Sequence, residues 1–276
     1  MTVAATAPPR DEMVEVQVRQ VAQQQFRFMI WTMVVFAGIF AVLIAFFSFI
    51  HLDGRFMLRW LPFIAEGIST TLFVSVASIT LACVLALFGA LGRLSRNPLF
   101  FAPSTFYVSL IRGTPLIIQV FFWYLALPQV KIPGLFPDGI VLEGTPAGII
   151  ALAVCYGAYM TETFRAGIQS IGKGQTEAAM ALGMTRLQTM RRIILPQAFR
   201  IVIPPIGNEF IAMTKDSSLV SFMAVWEIRF RADKIGRQYF RSFETLVIAA
   251  VFYWVMTIIL QFVQSKIETR MARGDR

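Results

Sequence analysis

The sequence is poor in the residues from which metal and redox sites are usually built. Histidine occurs once, as His51, and the two cysteines, Cys83 and Cys155, are far apart and lack CxxC spacing. Both cysteines stand inside apolar runs, where a thiol usually serves as a small packing residue. A histidine-cluster metal site is excluded, and neither histidine-dependent catalysis nor a disulfide is indicated.

Charged residues are also scarce. They make up 15% of the 276 residues, whereas 57% are hydrophobic and the mean hydropathy is +0.65. A soluble domain has about a quarter of its residues charged, so this composition indicates an integral membrane protein. The net charge is +9, and on so apolar a chain a basic balance indicates the cytoplasmic flanks of membrane spans, with no nucleic acid as partner.

Six apolar stretches have the length of membrane helices, since about 20 apolar residues cross the hydrocarbon core. Three of them carry no charge, and three are interrupted by polar groups. The uninterrupted stretches are 28–50, 67–92 and 245–265. The interrupted ones are 103–127, 144–165 and 200–222. We therefore predict an all-α integral membrane fold with six transmembrane helices.

The first span divides the chain into a tail, an anchor and a main domain. Residues 1–27 contain Pro8-Pro9 and several glutamines but no apolar stripe, which predicts a mobile cytoplasmic N-terminal tail. The 28–50 helix has no small-residue cleavage site after it and is predicted to be a retained anchor. Residues 51–276 form one predicted membrane domain, in which the proline-rich segment 128–143 is an outer loop.

Lysine and arginine bias orients the predicted bundle with both termini in the cytoplasm, because cytoplasmic loops carry an excess of these residues. Most of the 25 basic residues then lie on inner flanks. Arg112 and Lys215 are left in or at the edge of the membrane. The basic segment 227–241 is an exception on the outer side, where we interpret it as a surface helix that could face a partner.

One polar segment between two apolar regions carries the most specific pattern in the chain. Glu177-Ala178-Ala179 is followed after three residues by Gly183, and after nine more by the Ile-x-Leu-Pro group that ends at Pro196. Residues 176–182 are good helix formers, and Gly183 can take a positive φ and end that helix. A second short helix is predicted at 185–194, with Pro196 limiting its extension.

This pattern resembles the EAA loop of the membrane-spanning subunits of bacterial ABC importers, since every fixed position of E-A-A-x3-G-x9-I-x-L-P is present. Three further segments are similar to the polar-amino-acid branch of these permeases (histidine, glutamine and arginine types). They begin at Leu110, Gly157 and Pro204. The resemblance covers residues 67–270, and it leaves the 28–50 helix as an addition to the family's usual five core helices.

The resemblance implies a type I ABC importer (MetI-like) permease bundle in the bacterial cytoplasmic (inner) membrane. It also implies a dimeric transmembrane core with an identical or homologous second permease subunit, two cytoplasmic ABC ATPase subunits and an external solute-binding protein. Segment 170–197 is then the cytoplasmic coupling loop, and residues 174–196 form the element that docks on the ATPase. The residues assigned to ATPase coupling are Glu177, Ala178, Ala179, Gly183, Arg186, Arg191, Ile193, Leu195 and Pro196.

ATP and its magnesium ion are expected on the partner ATPase subunits, and no cofactor is expected on this chain. Gly167–Lys173 fits the first seven positions of a P-loop, but the eighth is Gly174, where a magnesium-binding Ser or Thr is required. A predicted membrane helix, and not a β-strand, precedes it. We therefore predict a transport subunit that is not itself an enzyme.

Ionisable groups inside a membrane cost roughly 2.5–3.5 kcal/mol each on insertion scales, so they are candidates for function. Arg112 is interpreted as a structural partner of a carboxylate, because Gly113-Thr114-Pro115 indicates a helix start near the inner face. For Glu162 both a substrate pathway and a structural ion pair remain open. Lys215 is a further candidate.

Asn208 and Glu209 follow Pro204-Pro205, which loosen the helix and free backbone groups that a water-lined cavity could satisfy. This combination favours a translocation path. The predicted substrate pathway therefore contains Glu162, Asn208 and Glu209, and transport would proceed by alternating access.

Two other classes of protein fit this sequence less well. An ion-gradient-driven secondary transporter or channel would need no ATPase and leaves the 177–196 pattern unexplained. A membrane-embedded enzyme is less favoured, because the sequence has no clustered histidines, paired carboxylate motif or nucleophile elbow.

Overall fold

The computed structural model describes residues 10–50 and 52–273, and in these ranges the regular structure is helical, with a single isolated β-bridge at Ile132 and Phe136. The chain divides into two compact units, residues 1–54 and 55–276, which are described separately. His51 and the predicted tail residues 1–9 lie outside the described ranges.

The first unit contains one long helix, α1, at Arg10–Ser48. Its described side chains are almost all exposed. The helix begins well before residue 28, so residues 10–27 are helical, while their assignment as a cytoplasmic tail stays a prediction. Gln, Glu and Arg make up ten of these 18 residues, and their high helix propensity is consistent with that helix.

The second unit contains ten α-helices among the described residues. They are α2 (Gly54–Ala65), α3 (Gly67–Leu94), α4 (Pro98–Arg112), α5 (Leu116–Ala126), α6 (Gly144–Ser170), α7 (Lys173–Ala181), α8 (Arg186–Thr189), α9 (Leu195–Asp216), α10 (Ile228–Tyr239) and α11 (Ser242–Arg273). A π-helical turn, Met190–Ile194, joins α8 to α9, and 3-10 turns follow α5 and α9.

Four helical stretches of the described chain are long and apolar enough to cross a membrane: Arg19–Phe46, Gly54–Leu94, Gly144–Ser170 and Ser242–Met271. A bent pair, α4 with α5, makes up to five. The predicted 200–222 span corresponds to α9 and the 3-10 turn after it, which are not among them. The predicted number of six is therefore not reached by this criterion.

The predicted span 103–127 is two helices and not one. Helix α4 ends at Arg112, α5 begins at Leu116, and the two axes differ by 111°. Pro115 is responsible, because a proline supplies no amide hydrogen and disfavours helical backbone at the residue before it. Thr114 and Gly113 thus form a break, and the polypeptide turns sharply where a straight span was predicted.

The largest buried cluster lies where α3, α6 and α9 pack together. Its fully buried members include Ala86 of α3, Met160 of α6 and Met213 of α9. Helices α6 and α9 run in opposite directions, since Tyr156 is hydrogen-bonded to Asp216 while Gly167 lies against Val202. These three helices form the framework that positions the polar residues described next.

Candidate coupling element and translocation pathway

The EAA segment folds as two short helices joined by a tight turn, as its sequence predicted. Helix α7 ends where Gly183 takes a φ of +76°. The amide of Gly183 donates to the Met180 carbonyl at 2.9 Å, and that of Met184 donates to the Ala179 carbonyl at 3.0 Å. This pair of bonds is a Schellman motif, which needs a residue with positive φ at the glycine position.

The second helix of the segment starts at a capping box. The Thr185 hydroxyl accepts from the backbone amide of Gln188 at 3.3 Å. In return, the side-chain oxygen of Gln188 accepts from the backbone amide of Thr185 at 2.9 Å. Each residue satisfies an amide that the first helical turn would leave without a partner. The start of the second helix was therefore predicted correctly.

The expectation that Pro196 limits this helix was wrong. Residues 186–216 form one continuous helical run, and the amide of Leu195 donates to the Met190 carbonyl five residues earlier. This π-type bond restarts the helix at Leu195 and puts Pro196 in its first turn. The missing amide hydrogen of Pro196 falls directly after the π turn, where the regular bonds between residues four apart are already interrupted, so the helix continues through the proline.

The residues assigned to coupling fall into an exposed group and a packed group. The exposed ones are Glu177, Ala178, Gly183, Arg186, Arg191 and Pro196. Ala179 is only 4% exposed and packs inside the chain, so it offers no surface to a partner. Ile193 and Leu195 are partly buried against the α3, α6 and α9 cluster.

Glu162 is engaged by two guanidinium groups of the same chain. One carboxylate oxygen pairs with Arg93, which ends α3, and the other accepts from Nε of Arg165 at 2.9 Å. Arg165 also donates to Gln169 at 2.5 Å. Nε of Arg93 is buried and has no hydrogen-bond partner among the described residues. The structure thus adds Arg93, which the sequence indicated only as a basic flank.

Asn208 and Glu209 have different surroundings although they are adjacent. The Asn208 side-chain oxygen accepts from the Gln264 amide of α11 at 3.1 Å. Glu209 is partly buried and forms no hydrogen bond or ion pair with another described residue. Its carboxylate is therefore the predicted pathway group that remains open to a ligand.

The three pathway candidates lie at a similar depth along the packed helices, but the described bonds do not join Glu162 to Asn208 or Glu209. Glu162 lies between the two positions of α6 that meet α9, Tyr156 and Gly167. Residues 208–209 lie between the corresponding positions of α9. The described bonds of Glu162 nevertheless go to α3 and within α6, while those of Asn208 go to α11.

Arg112 has a different structural partner from the one predicted. Its guanidinium lies 5.5 Å from the ring centroid of Tyr159, a cation–π arrangement. No described carboxylate forms an ion pair with it. The prediction of a structural contact holds, but an aromatic ring of α6 takes the place of the carboxylate.

A buried carboxyl group outside the candidate spans was missed by the sequence reasoning. Glu227 has no exposed surface and caps α10, with its Oε1 accepting from the Phe230 amide at 2.7 Å. Its other oxygen accepts from the Tyr253 hydroxyl of α11. Burial raises the pKa of Glu227 to about 7, against the opposing effect of these hydrogen bonds and of Arg229. An acidic residue directly before a basic helix was the available signal.

Within the described residues, no group of three or more His, Cys, Asp or Glu side chains is arranged to hold a metal ion. The arrangement instead combines an exposed helical segment with a helix that leads from it into the bundle.

Comparison with known proteins identifies the family. The family described as "binding-protein-dependent transport system inner membrane component" matches residues 78–273. The arginine transport system permease protein ArtQ of Bacillus subtilis is 35% identical over 225 residues, which cover 82% of this chain and 100% of that protein. The glutamine transport system permease protein GlnP of Escherichia coli is 34% identical over 211 residues, which cover 76% of this chain and 94% of that protein.

Solved structures agree with this family. An amino acid ABC transporter crystallised with histidines has 35% sequence identity and a TM-score of 0.71, covering 80% of this chain and 100% of that one. The inward-facing MetNI methionine ABC transporter, at 20% identity and a TM-score of 0.62, shares the fold over 80% of this chain and 99% of that one. The chain therefore belongs to the inner membrane components of binding-protein-dependent transport systems, the ABC importer permeases, on the branch that contains amino-acid permeases.

Proposed function

We propose that this chain, a transmembrane subunit of an ABC importer, carries polar amino acids by alternating access and couples to its ATPase subunits through segment 174–196. The observation that carries the proposal is the complete EAA pattern, folded as an exposed element in direct helical continuity with α9.

The exposed surface of the coupling element supports docking on a protein. Leu182 and Leu187 are 83% and 76% exposed on a polar segment, and Met180 is 45% exposed. Such side chains gain about 25 cal/mol for each Å² of apolar surface that a partner covers. Glu177 has no described ion pair and offers a carboxylate to a basic residue of that partner.

The continuity of the chain supports transfer of movement from this element to the pathway. Residues 186–216 form one helical run, so a displacement of α8 acts on the helix that carries Asn208 and Glu209. Closure of the ATPase pair would move the two coupling elements of a dimeric core and thereby rotate the helices that follow them.

The substrate class follows from the relatives and from the charge at the pathway. The relatives named above transport arginine and glutamine, and this chain aligns with nearly their whole length. An α-amino acid needs an acceptor for its ammonium group, and Glu209 is available because it has no described ion pair. An external binding protein would deliver the solute, with ATP and magnesium held by the ATPase subunits in the cytoplasm.

The coupling assignment is tested in the complete complex reconstituted in proteoliposomes. Gly183→Val forces a β-branched residue into positive φ, which costs roughly 1–2 kcal/mol or more and reshapes the turn. Glu177→Lys reverses the exposed charge. Both variants should uncouple ATP hydrolysis from uptake while the chain still inserts into the membrane.

The matched control is Gly174→Ala, in the same element but with nothing within 4 Å of an added methyl group and no positive φ. The assignment is wrong if both coupling variants keep the solute-stimulated ATPase activity and the uptake of the unaltered complex.

A further inference from the structure

Helix α9 is locally weakened in the middle of its length. Pro204 and Pro205 lie inside it, so two successive positions supply no amide hydrogen to the helix. This weakness lies about 12 Å beyond Pro196, at 1.5 Å per residue. A displacement of the coupling element that is transmitted along α9 therefore reaches this turn before it reaches Asn208 and Glu209.

A side chain of α11 is hydrogen-bonded to α9 at this weak turn. The side-chain nitrogen of Gln264 lies 3.2 Å from the Pro204 carbonyl oxygen and 3.1 Å from the Asn208 side-chain oxygen. The same nitrogen lies 2.9 Å from a carboxylate oxygen of Glu268. An amide nitrogen has two hydrogens, so three acceptors compete for two bonds. The contact can consequently exchange partners without leaving the amide unsatisfied.

Gly207 makes this approach possible. A methyl group at position 207 would lie 2.9 Å from the Gln264 side-chain carbonyl carbon and 3.1 Å from its nitrogen. These atoms belong to a flexible side chain, so an alanine at 207 would displace the glutamine amide before it displaced α9.

A cavity beside this contact leaves space for α9 to shift. Its volume is about 170 Å³, and α9 and α11 both line it, with Ile203 and Phe210 on one side and Val263 and Ile267 on the other. The cavity is partly open, since Val263 and Ile267 are 48% and 46% exposed, so α9 can shift here against side chains that are not tightly packed.

We propose that Gln264 is a positioning residue for transport: it holds α9 at its proline-weakened turn in the resting state and exchanges partners when the coupling element moves that helix. This inference rests on the proposed function, because it assigns a step of the same transport cycle. It also gives Asn208 a role in helix positioning and leaves Glu209 as the neighbour that faces the solute.

The test measures ATP hydrolysis and amino-acid uptake by the complete complex in proteoliposomes. Gln264→Leu removes the amide and keeps the bulk, while Gln261→Leu, three residues earlier on an exposed part of α11, is the matched control. Loss of one neutral hydrogen bond shifts an equilibrium by about two- to twelvefold. Solute-independent ATP hydrolysis should rise by that factor in Gln264→Leu, uptake per ATP should fall, and Gly207→Ala should act in the same direction.

The proposal is overturned if Gln264→Leu and Gly207→Ala both keep the uptake per ATP of the unaltered complex. If the proposed function itself is wrong, the unaltered complex will show no amino-acid uptake, and this result is distinct from the one that overturns the role of Gln264.

A second measurement covers the case in which Gln264→Leu does not assemble. Spin labels at Ile203→Cys and Val263→Cys, after both native cysteines are replaced by alanine, report the α9–α11 distance across the cavity. A distance that changes between nucleotide-free and ATP-bound complexes supports the proposal, and an unchanged distance refutes it.

Discussion

At the residue scale, the predicted pathway side chains differ in whether another residue of the same chain forms a hydrogen bond or ion pair with them. Glu162 has two arginine partners, and Asn208 has Gln264. Glu209 has neither a hydrogen bond nor an ion pair with a described residue. A carboxylate without a partner in an apolar bundle is costly, and under the proposed function a cationic ligand would offset that cost.

Glu209→Gln should therefore depress amino-acid uptake by about tenfold to a hundredfold, the effect of losing one charge-assisted contact. Assembly of the complex should be unchanged. Glu162→Gln should lower the stability of the complex along with its transport, because it leaves Arg93 and Arg165 without their carboxylate. Uptake assays on both variants, with Glu143→Gln at the exposed end of segment 130–143 as control, measure this. Unchanged uptake in both would remove these residues from the pathway.

Glu227 predicts a pH dependence of stability. Its pKa is 4.5 in an ordinary environment and about 7 in the folded chain, so the folded state binds its proton more tightly than the unfolded state does. The contribution of Glu227 to the free energy of unfolding is therefore fully present below about pH 4.5. It is lost as the pH rises to about 7, by about 3 kcal/mol in total.

The measurement is thermal unfolding in detergent between pH 4.5 and 8. Glu227→Gln should flatten the decline over this window, while Asp138→Asn in the exposed segment 130–143 should not. A variant that retained the full slope would show that other groups cause it.

At the scale of elements, helices α6 and α9 are held together by a hydrogen bond as well as by apolar packing. The Tyr156 hydroxyl donates to Asp216 at 2.7 Å from a nearly buried position. Hydrogen bonds to charged groups contribute about 1.5–3 kcal/mol. The bond fixes the end of α9 that is remote from the coupling element.

Tyr156→Phe should consequently lower the free energy of unfolding by about 1.5–3 kcal/mol. Tyr159→Phe is the matched control, three residues further along α6, with its hydroxyl in no described hydrogen bond and its ring 40% exposed. Thermal melts of the two purified variants make the comparison, and equal melting temperatures would contradict the assigned role of the bond.

Helix α1 leads to a prediction about the periphery of the bundle. Its apolar part, residues 28–50, has almost no polar groups, so we expect it to face lipid and not the pathway. Deleting residues 1–50 should reduce expression or stability more than it changes substrate preference. Competition assays with several amino acids measure the preference, and a clear switch in specificity would count against a lipid-facing role.

At the scale of the whole molecule, the features predicted best are those with a local cause. Uninterrupted apolar runs located α3 and α11, and the glycine of the EAA pattern located the turn with positive φ. Each depends on residues within a few positions of one another, so the sequence contains the whole signal.

Features that depend on distant parts of the chain were not predicted. Arg93 and Glu162 are 69 residues apart, and no local pattern pairs them. The same is true of Glu227 with Tyr253. Gly113-Thr114-Pro115 did indicate a helix start, but the sequence contained no signal for the angle of 111° between α4 and α5.

The unbroken helical path from Arg186 to Asp216 limits how this part of the gene can change in length. Each residue inserted or deleted there rotates everything beyond it by about 100° and shifts it by 1.5 Å. One such change would turn Asn208 away from Gln264, whereas a substitution alters one side chain only. Natural insertions should therefore collect in segments such as 130–143, where the described chain is non-helical and mostly exposed.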